Sequence, residues 1–259
     1  MPRAKGYSLL ELMIATAIFL VICGAMFGLL QLSQQKYATE SQMTGAFQET
    51  RLAIDQIVRD FNVSGYPGLS VFSNLPANSA LYAVSPVAWQ PNYPLTQCFV
   101  GTGGGGTCSP TPGDFDLIIE TNTGNGVSWI RYQLNGTTLM RSVVPKSGND
   151  PDGATKVPGA MVPFLTNVMN NPPAAQLAQI TAAYPAMFPG GLPQPIFQYT
   201  CDTPTGPQPC PTAGNSGIPS NIRDVDINLI VLTRSPDLQN QLPKLVQLAG
   251  RGQRLNPTN

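Results

Sequence analysis

The sequence contains no histidine, the side chain that most often acts as a general base and the commonest metal ligand. Nucleophilic catalysis of the serine–histidine or cysteine–histidine type and histidine metal sites are therefore excluded. Charged residues make up only 11% of the 259 residues, and 14 basic side chains balance 14 acidic ones. Without a net positive charge, no broad electrostatic attraction to nucleic acid is expected. We predict neither an enzyme nor a specific nucleic-acid-binding protein, and no cofactor.

Glycine and proline are abundant, with 25 and 26 residues respectively, which indicates a loop-rich, displayed domain more than a cytosolic enzyme. Two segments have some features of ligand loops. Residues 101–106 are glycine-rich but lack the lysine that follows a phosphate-binding loop, so a flexible loop is predicted. Residues 149–153 carry oxygen ligands spaced somewhat like a calcium loop, but no bidentate glutamate completes it. A turn is predicted there, and calcium binding is left open.

The first thirty residues combine a short basic leader with a long apolar run. Arg3 and Lys5 precede an apolar stretch that continues to Leu30, long enough to cross a hydrocarbon core of about 30 Å. The basic leader predicts a cytoplasmic N-terminus and an extracytoplasmic chain beyond about residue 32. One carboxylate, Glu11, lies near the start of the run. Because an acid in lipid is unfavourable, a functional role is expected for it.

Three other interpretations of this segment fit less well. An ordinary secretory signal has a shorter apolar core and a small-residue cleavage site. A lipoprotein signal needs a small residue before its cysteine, whereas Cys23 follows Ile22. A plain membrane anchor explains the apolar run but assigns no function to Glu11 or to Gly6.

The N-terminus resembles that of type IV prepilins and of the pseudopilins of type II secretion, with Gly6, Tyr7 and Glu11 at the motif positions. The resemblance implies that prepilin peptidase cuts after Gly6 and that the new N-terminal residue, Tyr7, is methylated. It also implies that Glu11 guides assembly with other pilin subunits. Two conservative replacements, of the usual Phe and Thr, follow the glycine. The implied boundaries are a leader at 1–6 and a transmembrane, filament-core helix at 7–32.

Two glycines, Gly24 and Gly28, form a small-xxx-small pair inside the apolar run. Such pairs let membrane helices approach closely, although glycine is also common in membrane helices generally. We predict close helix packing at this pair. Gly28 falls at mature position 22, where many major pilins carry a proline that loosens the helix. The glycine argues mildly against a major subunit.

The helix is predicted to continue beyond the membrane as an amphipathic half at 33–65. Apolar side chains at helical spacing form one stripe, made of Met43, Phe47, Ile54, Ile57, Val58 and Phe61. Leu52 falls on the polar side and is a candidate contact for another subunit. Gly65 followed by Pro67 is a stop signal. One helix of roughly 85 Å over about residues 8–64 is expected.

Residues 66–259 are predicted to form an extracytoplasmic, β-rich head. Turn formers dominate residues 66–113 and about 145–220, which are predicted to be irregular. Alternating apolar runs predict strands over 115–120, 127–134, 137–144, 225–231 and 244–249. Asn135-Gly136 favours a type I′ hairpin turn, because both central residues of that turn need positive φ. The predicted fold is α+β, with one long helix on a small antiparallel sheet and a frayed tail from residue 251.

Four of the five cysteines fall in two close pairs, Cys98 with Cys108 and Cys201 with Cys210, and each pair brackets a turn-rich segment. Spacing alone leaves three connectivities open. Local pairing is favoured because each short loop closes easily, and each bridge would contribute roughly 3 kcal/mol by constraining the unfolded chain. An exported compartment permits such bonds. Cys23 lies in the apolar run and is predicted to be a small packing residue.

Two internal segments narrow the resemblance. Residues 53–66 resemble the helix end of PilW-type minor pilins, and residues 129–136 with 138–141 resemble the hairpin shared by those proteins and the J-type pseudopilins. The resemblance implies the pilin fold and a structural minor pilin at or near the tip of a type IV pilus. Such a subunit is held in the inner membrane before it reaches the cell surface. A J-like pseudopilin of type II secretion is the main alternative, and a membrane-anchored adhesin or DNA-uptake pilin is less favoured.

Overall fold

The computed structural model describes residues 8–68, 71–74, 76, 79–83, 86–87, 113–122, 124–146, 161–210, 221–234 and 244–255. Tyr7 and the leader, Cys98 and Cys108, and residues 101–106 and 149–153 lie outside this part of the chain, so their predicted roles stay predictions. Within it, one long helix lies against antiparallel sheets, which is a pilin-like α+β architecture. The predicted fold class is confirmed.

Helix α1 runs from Leu9 to Asn62 without interruption and is about 81 Å long. The chain leaves it through Gly65, whose φ of +77° suits a residue without a Cβ. The stop signal at Gly65 and Pro67 and the single long helix are therefore confirmed.

Only the second half of α1 has a buried face. Ile54, Ile57 and Phe61 are buried as predicted, whereas Phe47, on the same stripe, is 42% exposed. Phe47 is exposed because it precedes Thr50, the first residue of the helix that the head buries. The apolar stripe therefore begins nearer the N-terminus than the part of the helix that the head covers.

The first sheet contains β1 (Asp116–Asn122), β2 (Val127–Asn135), β3 (Thr138–Pro145) and β4 (Val162–Leu165), all antiparallel and in that spatial order. The predicted β2–β3 hairpin is confirmed, but Asn135 pairs with Thr138, so Gly136 and Thr137 are the central turn residues. Of these two, only Gly136 has a positive φ, of +59°. The turn is therefore not type I′; a positive φ at the first central residue alone is the pattern of type II′.

The second sheet contains β5 (Phe197–Thr203), β6 (Gly206–Pro209), β7 (Ile222–Leu232) and β8 (Leu245–Gln253), antiparallel and in the order β6-β5-β7-β8. The predicted strands near residues 225–231 and 244–249 are confirmed, and β8 lies at the sheet edge. The prediction of a frayed tail from residue 251 is wrong at its start, because β8 pairs with β7 as far as Gln253.

The segment predicted to be irregular at about 145–220 contains β4, β5, β6 and a second helix, α2 (Ala174–Ala183). Strand β5 alternates, with Phe197, Tyr199 and Cys201 buried, but the surrounding turn formers obscured this period. Val168, just after β4, bridges to Val231 of β7 and so links the two sheets. Two connected sheets replace the single small sheet that was expected.

The core lies between α1 and the inner faces of both sheets. Its members include Ile57 and Phe61 of α1, Leu117, Ile130 and Leu139 of the first sheet, and Phe197, Val225 and Leu229 of the second. The other face of the first sheet is buried too, since Ile118, Glu120 and Trp129 have no exposed surface. Strand β1 is therefore buried on both faces. Charged residues on this second face need partners inside the protein.

Candidate functional site

The first half of α1, from Leu9 to Leu32, is apolar and exposed. Its most apolar 18-residue segment contains no buried residue. Leu9 is 78% exposed and Phe27 is 71% exposed. A helix of this length and composition can cross a membrane. An apolar surface this extensive needs lipid or other helices around it.

Glu11 is the one charged residue in this half of the helix. The backbone N–H of Ser8, the N-cap residue, donates a hydrogen bond to Glu11 Oε2 over 3.4 Å. The carboxylate thus lies at the end of the helix where the dipole favours negative charge. Glu11 is also exposed, so its oxygens can meet a cation from outside the chain.

The glycine pair of the apolar half makes no contact that depends on its size. Apart from its chain neighbours and the adjacent helix backbone, a Cβ added at Gly24 or Gly28 would meet no atom of the described residues within 4 Å. A close approach at these glycines would therefore involve another helix. Cys23, beside Gly24, is a free thiol.

The second half of α1 rests on β8 through two other glycines. A Cβ added at Gly250 would lie 2.3 Å from Cγ2 of Ile54, and one at Gly252 would lie 3.1 Å from Phe61. Since Ile54 is β-branched and stiff at χ1, a side chain at Gly250 would force the helix and strand apart. These glycines let the helix approach the sheet closely.

A polar network fixes the last turn of α1 to the β2–β3 hairpin. Tyr132 Oη donates to Asp60 Oδ2 over 2.5 Å, and Arg141 Nη2 contacts the same oxygen at 2.8 Å. Arg141 Nε donates to Tyr132 Oη over 2.9 Å, and Gln56 Nε2 donates to Asp60 Oδ1 over 2.7 Å. Asp60 is only 8% exposed, so its charge is neutralised where water is largely excluded.

The network has defined protonation states. Burial and the Asp60 carboxylate raise the pKa of Tyr132 well above its usual value, so the phenol stays protonated and donates. Burial alone would lower the pKa of Arg141, but its hydrogen bond to Asp60 raises that pKa above the usual value. A neutral phenol and a charged guanidinium therefore share one carboxylate, and the chemistry of the network is structural.

The network around Asp60 was not predicted from the sequence. A signal was present, because Asp60 lies on the buried stripe between Ile57 and Phe61, and an acid on an apolar stripe needs a buried partner. The partner could not be named, since Tyr132 lies 72 residues further along the chain. Leu52, by contrast, was placed correctly on the outer face of the helix and is 70% exposed.

The two predicted disulfides have different outcomes. Cys201 and Cys210 form a disulfide with an S–S distance of 2.00 Å, the local pairing that the sequence favoured. This bond lies at the β5–β6 hairpin, where Cys201 is buried in the core, and it ties a short, proline-rich edge strand to the second sheet. Cys98 and Cys108 lie outside the described residues. A bond between Cys98 and Cys108 therefore stays a prediction.

The described residues offer no metal centre. No group of three or more His, Cys, Asp or Glu side chains in that part of the chain is arranged to hold a metal ion. A groove of about 230 Å³ lies between α1 and the end of β7. Its acid and its base, Glu49 and Arg234, form an ion pair with each other at 2.9 Å.

Comparison with known proteins identifies the N-terminal segment. Residues 1–27 match the prokaryotic N-terminal methylation motif, which contains the cleavage site of prepilin peptidase. No curated protein and no solved structure matches the chain. The motif and the exposed apolar helix together support a protein of the type IV pilin and pseudopilin class. Members of this class are structural, are anchored in a membrane and assemble with other pilins.

Proposed function

We propose that this chain is a structural minor pilin of the PilW type, which enters a type IV pilus at or near its tip and supports pilus assembly. The observation that carries the proposal is the methylation motif at residues 1–27, placed at the start of a membrane-length helix with an exposed apolar surface. Glycine rather than proline at residue 28 supports a minor subunit over a major one.

On this proposal, residues 1–6 are removed and residues 7–32 span the inner membrane with the N-terminus in the cytoplasm. Residues 33–65 continue the helix onto a head at 66–259, which lies outside the cytoplasm and later on the cell surface. The basic leader supports this orientation. The Cys201–Cys210 disulfide supports an oxidising compartment for the head.

The proposed role of Glu11 is to meet the α-amino group of Tyr7 on a neighbouring subunit. Cleavage after Gly6 creates that positive charge, and opposite charges attract strongly where water is excluded. Within its own chain, Glu11 has the long 3.4 Å hydrogen bond from Ser8, so its exposed oxygens can accept a stronger donor. The pair would set the axial register of the entering subunit.

Processing is tested by mass spectrometry of the N-terminal peptide of the membrane-bound and filament-bound protein. We expect a mature chain that begins at methylated Tyr7, and a Gly6→Val variant that keeps its leader. An intact Met1 in the assembled protein, or a cut elsewhere, would exclude the pilin assignment.

Assembly is tested with Glu11→Ala, and Glu40→Ala serves as the matched control because Glu40 is an exposed acid on the same helix. Both variants should be cleaved and remain in the membrane fraction. Only Glu11→Ala should be depleted from sheared pili. Equal incorporation of the two variants would show that Glu11 does not direct assembly.

A J-like pseudopilin of type II secretion is the second candidate, because the β2–β3 hairpin resembles the one shared by both groups. Deletion of the gene separates the two functions. Loss of surface pili with normal protein secretion supports the minor pilin, whereas loss of secretion with normal pili supports the pseudopilin.

A further inference from the structure

The second face of the first sheet buries an ion pair that no assembly role explains. Lys146 Nζ contacts Glu120 Oε1, and neither side chain has any exposed surface. Lys146 Nζ also donates to the backbone oxygen of Tyr82 over 2.8 Å and lies 5.2 Å from the centre of the Tyr82 ring. An amine and a carboxyl are therefore held in contact at a dry, enclosed position.

Glu120 lies on β1 and Lys146 directly follows β3, and these two strands do not pair with each other. Glu120 of β1 is opposite Trp129 of β2, which is opposite Val144 of β3. Lys146 lies two residues beyond Val144, so its side chain is on the same face as Glu120. The backbones of β1 and β3 are two strand spacings apart, about 10 Å. The side chains of Lys146 and Glu120 together can span this distance across β2.

We propose that Lys146 Nζ and Glu120 Cδ become joined by an amide bond, a covalent cross-link between β1 and the end of β3. The ammonium group first passes a proton to the carboxylate. The neutral Nζ then attacks Cδ, a C–N bond forms, and the C–OH bond breaks. The hydroxyl leaves with one N–H proton as water, so no oxidant or other reactant is needed.

The enclosed position favours this reaction in two ways. Ions are unfavourable away from water, and the reaction replaces two charges with one neutral amide. Groups held in contact by a fold react as if at effective concentrations of about 10⁵–10⁸ M, which offsets the tendency of an amide to hydrolyse in water. The Tyr82 oxygen holds one N–H of Lys146, which leaves the nitrogen lone pair free to face Glu120.

A second buried ion pair on the same face is an internal control. Arg131 Nε donates to Asp116 Oδ1 over 2.9 Å, and the Arg131 side chain is 4% exposed. A guanidinium keeps its proton under all ordinary conditions, so it supplies no neutral nucleophile. The Asp116–Arg131 pair should remain ionic although it is similarly placed.

The test is mass spectrometry of the full-length protein purified from its native membrane, then reduced, alkylated and digested with trypsin. Trypsin does not cut after an amidated lysine, so we expect residues 60–131 joined to residues 142–156, one water lighter than the two peptides together. Normal cleavage after Arg131 should accompany it. Recovery of residues 60–131 at full mass, with a separate peptide ending at Lys146, would overturn the proposal.

Lys146→Arg is the matched variant, since it keeps the positive charge but cannot form the bond. Its peptide 60–131 should be recovered at full mass, and the intact chain should lose the mass deficit of one water. A deficit that persists in K146R would place the cross-link elsewhere and would also overturn the proposal.

Discussion

The two halves of helix α1 share one backbone conformation and have opposite surroundings. From Leu9 to Leu32 the helix has an apolar surface, and the most apolar 18-residue segment has no buried residue. From Thr50 to Phe61, by contrast, one face of the helix is buried against the head. Backbone hydrogen bonds keep both halves helical, but side-chain packing stabilises only the second. The second half is completed by its own chain, and the first depends on lipid or on other helices.

The glycines at the two halves of α1 show the same difference between a packed and an exposed surface. Gly250 lies directly against Ile54, whereas a Cβ at Gly24 or Gly28 would contact none of the described residues outside the adjacent part of its own helix. Replacing these glycines by alanine one at a time therefore distinguishes contacts made within the chain from contacts that require a neighbouring molecule.

The largest loss of stability is expected when the polar network that fixes the last turn of α1 to the β2–β3 hairpin is removed. Asp60→Ala would leave Tyr132 without its acceptor and Arg141 without its counter-ion in a poorly hydrated site. We expect a loss of about 3 kcal/mol in the free energy of unfolding. Urea unfolding of the full chain in detergent, followed by tryptophan fluorescence, measures it. Asp55→Ala, an exposed acid on the same helix, should change stability by less than about 0.5 kcal/mol; equal losses would contradict the network.

A smaller loss is expected at the contact between α1 and β8. Gly250→Ala places a methyl group against Ile54 and should reduce the free energy of unfolding by about 1–3 kcal/mol. Gly45→Ala is the control, because Gly45 is helical and a Cβ there meets nothing within 4 Å. That control should be stabilising by about 0.5–1 kcal/mol. Calorimetry of both variants in the same detergent tests the pair, and a neutral Gly250→Ala would show that the helix does not rest on β8 there.

Alkaline pH should weaken the attachment of the second half gradually. The pKa of Tyr132 is raised in the folded state, so folding favours the protonated phenol. Its contribution is complete below the unfolded value of about 10 and is lost as the pH rises above it. The free energy of unfolding should fall above about pH 10, and less steeply in Tyr132→Phe. Burial also raises the pKa of Tyr199, so part of the slope should persist. Tyr37→Phe, at an exposed tyrosine, should keep the whole slope.

The smallest effect on the isolated chain is expected at Gly28. Gly28→Ala should leave head unfolding unchanged, because the added methyl group would meet none of the described residues of the head within 4 Å. If Gly28 packs against a neighbouring helix as proposed, the variant should be reduced in sheared pili while Gly45→Ala is not. Normal incorporation of Gly28→Ala would show that this face of the helix contacts lipid alone.

Features with local causes were predicted from the sequence. Helix α1 follows from apolar periodicity and the Gly65 stop, and the Cys201–Cys210 bond follows from a short loop. The β2–β3 hairpin was also found, although its turn lies one residue further along. An Asn-Gly step can occupy more than one position in a turn, and strand pairing selects among them.

Features that depend on distant partners were not predicted. No role was predicted for Gly250 and Gly252, because the residues that require glycine there belong to a helix almost two hundred residues earlier in the chain. Asp60 required Tyr132 and Arg141 across the core. Glu120 is buried on the second face of β1, and the alternating pattern of this strand did not predict that both of its faces are covered.

The end of α1 is also joined to the end of β8, and this joining has a consequence for folding order. Asn62 accepts hydrogen bonds from the backbone N–H of Gln253 at 3.0 Å and of Leu255 at 3.1 Å, and Gln253 lies 191 positions after Asn62 in the sequence. Contacts over such separations close slowly. On the proposed topology, with the head outside the cytoplasm, the end of α1 makes these contacts only after β8 has crossed the membrane, so the head completes its folding after export of that strand.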